Sequence, residues 1–207
     1  MRLPNPIERF VAKLSELPSL GPRQATRLAF YLLRTGENNM RELGDAISGM
    51  RSVKPCARCF FVHQNENGLC DICRDPRRAQ NVIMVIEKET DLLSLENSGK
   101  FNGRYFILGE IAKTGILEEW QKLRLQQLKS FIQKEFGPST GSTQAKAEEI
   151  VLGFNPTSVG DFSASLVARE LEPFAKKISR LGRGLPTGGE IEFADDETLG
   201  SALERRG

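Results

Sequence analysis

The sequence predicts a mixed α/β protein in which a helical region and a cysteine-rich segment precede a sheet of parallel strands. Apolar residues recur at helical spacing through residues 1–53, and four cysteines follow within 18 residues. After residue 80, four short apolar runs alternate with helical patterns, an order typical of a parallel sheet covered by helices. We therefore expect four parts, with boundaries at 1–53, 54–79, 80–176 and 177–207.

The first part is predicted to hold three helices. Asn5 is the expected cap of the first helix, with Pro6 at its first position. The second helix is expected to start at Pro22, because a proline at this position loses no helical hydrogen bond. The residues expected to face the helical core are Ile7, Phe10, Val11, Leu14, Leu17, Ala25, Leu28, Ala29, Leu32, Met40, Leu43, Ile47 and Met50.

The region after residue 80 is predicted to alternate strands and helices. The five residues Val82–Ile86 are all apolar and mostly β-branched, as expected of a buried parallel strand. The long third helix of this series is expected to turn Trp120, Leu123, Leu128 and either Phe131 or Ile132 inward, and a loop is expected at 137–142. The predicted strands are 82–86, 105–108, 149–154 and 177–181, and the predicted helices are 90–97, 118–136 and 161–174.

Charge is unevenly distributed along the chain. The net charge is +2, but residues 1–80 hold 13 Lys/Arg against 8 Asp/Glu, whereas residues 81–207 hold 16 against 19. A basic first part favours a polyanionic partner, although an ordinary solvated surface explains it equally well. No apolar run approaches the ~20 residues of a membrane span, and the N-terminal residues lack an apolar signal core. We therefore expect a cytoplasmic protein with no membrane partner.

The four cysteines predict one structural zinc ion. They form two Cys-x2-Cys pairs, Cys56 with Cys59 and Cys70 with Cys73, separated by ten residues. Two such turns supply four thiolates in a tetrahedron and leave no open position for catalysis. Disulfides fit poorly with a chain that has no signal sequence, and a redox Cys-x-x-Cys would not need a second copy. His63 is a further candidate ligand, but four thiolates already complete the shell.

The segment 17–23, between the first two predicted helices, predicts a helical hairpin that binds nucleic acid. Gly21 is expected to permit a tight turn, after which the free N–H groups of the second helix face outward, where a phosphate can bind. Arg23 and Arg27 lie four residues apart on one face of that helix and can contact neighbouring phosphates. The alternative is a simple corner between helices with solvated arginines.

Acidic residues follow two of the predicted strands. Glu87 comes directly after the first strand, and Asp161 follows the third at the end of the segment 155–161. Ligands and metals gather at the carboxyl edge of an open α/β sheet, so both residues are candidates for a Mg²⁺ site. The alternatives are a solvated or capping Glu87 and an Asp161 that caps a helix. The glycine-rich segment 181–189 lacks the Gly-Lys-Ser/Thr end of a P-loop, so ATP binding is not predicted.

Taken together, these segments resemble the bacterial RecR family of recombination mediators from about residue 4 to residue 205. The matching motifs are the hairpin and helix "RQATRLAFYLL", the four-cysteine finger, the Toprim segments "VIEKETDLLSLENSGKFNGRYFILG" and "NPTSVGDFSA", and the end "ISRLGRGLPTGGEIEFADDETLGSALE". The resemblance implies a helix-hairpin-helix region, a zinc finger and a Toprim domain. It also implies that Arg23 and Arg27 are DNA-binding and that Glu87 is the Toprim glutamate.

The resemblance further implies a non-enzymatic role in DNA repair. RecR proteins form tetrameric rings, bind single- and double-stranded DNA, and act with RecO and RecF to load RecA onto single-stranded DNA. This chain has Val159 where the family carries an acidic residue and no Asp-x-Asp pair after the third strand, so we expect weakened Mg²⁺ binding. Two alternatives stay open: a Mg²⁺-dependent Toprim nuclease or primase using Glu87 and Asp161, and a zinc-ribbon protein that binds RNA.

Overall fold

A computed structural model describes residues 3–112, 114, 116–137, 146–185, 188 and 190–204. These residues belong to two compact units, Met1–Val53 and Lys54–Gly207. Of the loop predicted at 137–142, all but Gly137 lies outside the described residues, as do three residues of the glycine-rich segment 181–189. No helix in the described parts has the length and apolar character needed to cross a membrane.

The first unit consists of three helices, as predicted. They are α1 (Asn5–Ser15), α2 (Pro22–Thr35) and α3 (Glu37–Gly49), and a short 3-10 turn at Met50–Ser52 follows α3. The predicted cap Asn5 is wrong, because Asn5 is itself the first helical residue and Pro4 precedes the helix. The carbonyl of Pro4 already accepts the N–H groups of Ile7 and Glu8, so the helix begins one residue earlier than expected.

The core of the first unit is much smaller than predicted. Its fully buried side chains are those of Ala25 and Ala29, while Leu28 is exposed. All four apolar residues predicted to turn inward from α3 and the turn after it are also exposed, with Met50 at 71%. A unit of this size has too little interior to bury four apolar faces. The exposed residues of that set are Met40, Leu43, Ile47 and Met50.

The second unit contains a four-stranded parallel sheet in the order β4-β3-β5-β6. This arrangement confirms the predicted α/β fold. A two-residue antiparallel pair, β1 with β2, precedes the sheet within the cysteine-rich finger, residues 54–79. The elements are β1 (Lys54–Pro55), β2 (Val62–His63), α4 (Asp71–Arg74), β3 (Val82–Ile86), α5 (Glu89–Asn97), β4 (Arg104–Ile107), α6 (Glu119–Phe136), β5 (Ala147–Gly153), α7 (Ser158–Leu171), β6 (Ala175–Arg180) and α8 (Asp196–Glu204).

Both faces of this sheet are covered, because successive strand residues point to opposite sides. Ile83 and Val85 lie in a core cluster with residues of α6 and α7. Met84 and Ile86 lie in a second cluster with Leu92 of α5. The finger contributes Phe60, Phe61 and Ile72 to this second face. The finger therefore helps to cover a sheet face, a position that a helix usually occupies in α/β proteins.

Helix α6 is rotated relative to the prediction. Leu128 and Ile132 are buried as expected, but Trp120 and Leu123 are exposed. The buried stripe instead includes Leu125 and Gln121, and Gln121 is satisfied because its amide donates to the carbonyls of Gly109 and Glu110. Sequence reasoning set Gln121 aside because it is polar, and that choice shifted the phase of the whole helix.

Candidate metal centre and nucleic-acid interface

The four cysteines converge on one point in the finger. Their sulfur atoms all lie within 4.8 Å of one another, and Sγ of Cys59 is 3.5 Å from Sγ of Cys70. A tetrahedral zinc ion with Zn–S distances of about 2.3 Å needs sulfur atoms roughly 3.8 Å apart. All four cysteines are free and buried, so the disulfide interpretation is not supported. The donor set and its spacing fit a zinc ion.

Backbone N–H groups already point at the sulfur atoms. The amide of Arg58 donates to Sγ of Cys56 at 3.5 Å, and the amide of Phe61 donates to Sγ of Cys59 at 3.4 Å. The second contact depends on a left-handed turn, in which Phe60 has a φ of 66°. A non-glycine residue in this region is uncommon and strained, and here the turn brings N–H groups to a sulfur that would carry negative charge.

The cluster is electrostatically incomplete without a cation. Hydrogen bonds from Cys59, Cys70 and Cys73 lower the pKa of the Cys56 thiol. The contact with Cys56 does the opposite to Cys59, whose pKa is raised. Four thiols this close cannot all ionise together unless a metal ion compensates their charge. His63 lies outside the cluster, and its Nδ1 accepts the backbone N–H of Asn65 at 3.0 Å.

The finger is hydrogen-bonded to the sheet of its own unit. The amide of Ile107 in the edge strand β4 donates to the carbonyl of Cys59 at 2.9 Å. The ring of Phe60 packs edge-on against Phe106, with 5.5 Å between the ring centroids. One residue after a cysteine therefore enters the core, so the metal centre and the sheet share a single packed structure.

In the first unit, the hairpin between α1 and α2 differs from prediction in one respect. The residue with left-handed backbone is Ser19, with a φ of 64°. Gly21 is extended, with a φ of −85° and a ψ of 167°. The tight turn therefore depends on Ser19, and the sequence gave no signal for this because serine rarely adopts that conformation. Helix α2 begins directly after Gly21 with no side chain capping its first N–H groups.

Arg23 and Arg27 lie in the first two turns of α2, and both are exposed. The ion pairs described in this unit are Lys13–Glu16 and Arg41–Glu37, so no described carboxylate neutralises either arginine. One face of α2 therefore carries two uncompensated guanidinium groups beside an uncapped helix N-terminus. Such a surface attracts phosphates through charge and through the exposed N–H groups.

Glu87 lies at the carboxyl edge of the sheet, directly after β3, and is 6% exposed. Its Oε2 accepts a 2.9 Å hydrogen bond from the amide of Asn155, the second residue after β5. These two central strands are adjacent and lie at the point where the strand order reverses, the usual ligand position in such sheets. The sequence analysis named Glu87 but missed Asn155, because an amide is a weaker indication of a metal site than a carboxylate.

Asp161 is engaged elsewhere. Its carboxylate accepts hydrogen bonds from Arg180 at 3.2 Å and from Arg183. Arg183, and then Arg180, hold the pKa of Asp161 below its usual value. The cap of α7 is Thr157, whose hydroxyl accepts the N–H of Gly160, so the alternative of Asp161 as a cap is wrong. Among the described residues, the one group of three or more potential metal ligands is the cysteine cluster.

A polar cavity of about 550 Å³ lies beside this carboxylate. Arg180 and Arg183 line it together with Asn155 and Gly160. Gly160 is required here, because a Cβ atom at this position would lie 2.0 Å from the carbonyl oxygen of Asn155. The glycine-rich segment that follows β6 thus contributes arginines to this cavity, and its charge is largely neutralised by Asp161.

These parts define a class of protein: a helical hairpin unit with exposed arginines, a four-cysteine metal centre and a covered parallel sheet. Three family models match the chain: "RecR, helix-hairpin-helix" at residues 7–50, "Toprim domain" at 81–182, and "RecR, C-terminal" at 184–206. The chain belongs to the RecR family of recombination proteins, since curated relatives match it over nearly its whole length.

Three of these relatives illustrate the similarity, and each is named "Recombination protein RecR". The protein of Chloroflexus aggregans is 40% identical over 97% of this chain and 93% of its own length. That of Roseiflexus castenholzii is 37% identical over 99% and 94%. That of Myxococcus xanthus is 35% identical over 98% of both chains.

Proposed function

We propose that this chain is a non-enzymatic, DNA-binding recombination mediator of DNA repair. In this proposal it acts in the cytoplasm with RecO and RecF and helps to load RecA onto single-stranded DNA. It binds single- and double-stranded DNA through Arg23 and Arg27 and assembles as a homotetrameric ring. The observation that carries the DNA-binding part is the exposed, uncompensated arginine pair beside the open N-terminus of α2.

The cysteine cluster supports the structural part of the proposal. Cys56, Cys59, Cys70 and Cys73 would hold one zinc ion, which would neutralise their charge and fix the turns of the finger. We propose the same four parts as above, 1–53, 54–79, 80–176 and 177–207. The ranges of the three matching family models, 7–50, 81–182 and 184–206, support this division.

The carboxyl edge of the sheet supports a non-enzymatic role. A metal-dependent strand-transfer centre needs several carboxylates around its metal. Here Glu87 is bonded to an amide and Asp161 to two arginines. The geometry therefore does not favour the alternative of a Mg²⁺-dependent nuclease or primase.

The DNA-binding part is tested by replacing Arg23 and Arg27 with alanine together. Affinity for a single-stranded oligonucleotide should fall, and the slope of log K against log salt should flatten by about 1.4 to 1.8, since each lost phosphate contact removes ~0.7 to 0.9. Fluorescence anisotropy at several salt concentrations measures both quantities.

The matched control is the double variant Arg9→Ala with Arg34→Ala. Both residues are exposed and lie in the same unit, so this control removes the same charge from a different surface. We expect it to bind with a salt slope close to that of the unchanged protein. Equal losses in the two double variants would mean that net charge, and not the α2 surface, governs binding.

A further inference from the structure

The interface between the finger and the sheet holds a buried cation that has no hydrogen-bond partner. Arg104 in β4 is 6% exposed, and its Nε and Nη1 atoms have no partner among the described residues. A guanidinium stays charged under all ordinary conditions. Burying one without compensation is costly, so a nearby negative charge is expected.

A second arginine makes the imbalance larger. Arg58, between the first two cysteines, lies over the ring of Phe131 at 5.0 Å, and Arg104 lies over the same ring at 5.4 Å. The carboxylate described near both is Glu135, at 4.0 Å from Arg58 and 3.9 Å from Arg104. Two partly or fully buried cations thus share one loosely placed carboxylate.

The cysteine cluster lies on the other side of this pair. The guanidinium of Arg58 donates to the carbonyl of Cys73 at 3.2 Å. Burial, and then the charge of Arg58, lower the pKa of Arg104, whereas the charges of Glu135 and Cys73 act in the opposite direction. Arg104 is therefore close enough to the cluster to be affected by its charge.

A zinc ion bound by four thiolates is a dianion, because one divalent cation compensates only half of the sulfur charge. We infer that Arg58 and Arg104 are the counter-cations of this zinc–tetrathiolate centre. They stabilise the loaded finger on the sheet, and in the metal-free protein they are left as two like charges beside neutral thiols. Zinc binding and the packing of the finger against β4 are then energetically coupled through these arginines.

This inference rests on the proposed zinc ligation, and its test separates the two. The intact chain carrying Arg104→Met keeps an apolar side chain of similar length but loses the cation. Competition with a chromophoric zinc chelator should show at least about tenfold weaker zinc binding, the lower end of the usual effect of residues that support metal ligands. Arg104→Lys keeps the charge and should lie closer to the unchanged protein.

The stability of each protein is then measured by urea denaturation with zinc and with excess chelator. Arg104→Met should lower the unfolding midpoint of the zinc form, while leaving unchanged or raising that of the metal-free form. A side chain needed only for packing would lower both midpoints alike. Arg58→Met, at a less buried position, repeats the test if Arg104→Met does not fold.

The control is Arg169→Met, which removes an exposed arginine of α7 in the same unit and should not change zinc affinity. Zinc binding by Arg104→Met within twofold of the unchanged protein, or equal destabilisation with and without metal, would overturn the inference. Absence of zinc from the unchanged protein would instead contradict the zinc ligation itself.

Discussion

The cysteine cluster and the carboxyl edge of the sheet were both candidates for metal binding, yet they are built differently. In the finger, four sulfur atoms converge and backbone N–H groups point toward them. At the carboxyl edge, the two candidate carboxylates each have their own partners, an amide for Glu87 and two arginines for Asp161. The first site lacks only a cation, whereas the second is already satisfied by the protein.

This difference teaches that a carboxylate at the right edge of a sheet is a weak sign of a metal site. What distinguishes the finger is convergence, since a ligand set must aim several donors at one point. Internal neutralisation, as for Asp161, works against metal binding because the metal would have to displace the arginines. The next three predictions test this contrast, from the largest expected effect to the smallest.

The largest effect is expected from Cys70→Ser, which removes one of the four convergent donors. Zinc content, measured by atomic absorption, should fall to a small fraction of that of the unchanged protein. The free energy of unfolding should drop by at least about 3 kcal/mol, given the ~10–16 kcal/mol that structural zinc contributes in small peptides.

Ala57→Ser is the matched control, because it adds the same hydroxyl to an exposed position between Cys56 and Arg58 without removing a donor. It should keep its zinc and its thermal midpoint. If Cys70→Ser retained zinc and stability, the cluster would not be a structural metal centre.

An intermediate effect is expected from Asn155→Ala at the carboxyl edge. Glu87 would lose the only hydrogen bond that the described residues give its carboxylate, at a cost of about 1–3 kcal/mol. In a Glu87→Gln background the same change should cost less, since a neutral amide is easier to leave unpaired. Urea denaturation of the four proteins measures the coupling between the two side chains.

Magnesium provides the complementary measurement. Because Asn155 already occupies Glu87, millimolar Mg²⁺ should not shift the unfolding midpoint of the unchanged protein. A shift that disappears in Glu87→Gln would show that this edge does bind the metal, and the contrast with the finger would fail.

The smallest effect is expected from Asp161→Asn. The pKa of Asp161 is lowered by Arg183 and Arg180, so its contribution is present above the unfolded-state pKa of about 3.9 and is lost as the pH falls through the lower, folded-state pKa. The variant should be less stable by about 0.5–1 kcal/mol at pH 7, because the pair is partly exposed.

This difference between the two proteins should shrink toward zero in acid. Comparing them at each pH in urea removes the effect of acid on the zinc site, which both share. A difference that grew on acidification would contradict the ion pair as the source of stability.

The sequence was most informative where chemistry depends on local spacing. The two Cys-x2-Cys pairs were sufficient to predict the cluster, and the β-branched run at Val82–Ile86 predicted a central strand correctly. Long-range pairings had no such signal: nothing in the sequence links Asn155 to Glu87, or Arg183 to Asp161. The exposed position of Trp120 was also unpredictable, because it depends on contact with Gly109, whose hypothetical Cβ would lie 1.9 Å from the indole ring.

The bond between Ile107 and Cys59 has a consequence for the order of folding. The finger precedes β4 in the chain, so during synthesis it is available before the edge strand that it covers. A finger that has already taken up zinc offers β4 a partner as soon as that strand emerges. In a zinc-starved cell, the same strand would meet other nascent chains with its edge uncovered, which favours aggregation. Zinc supply during expression would then determine the yield of soluble protein as well as its stability.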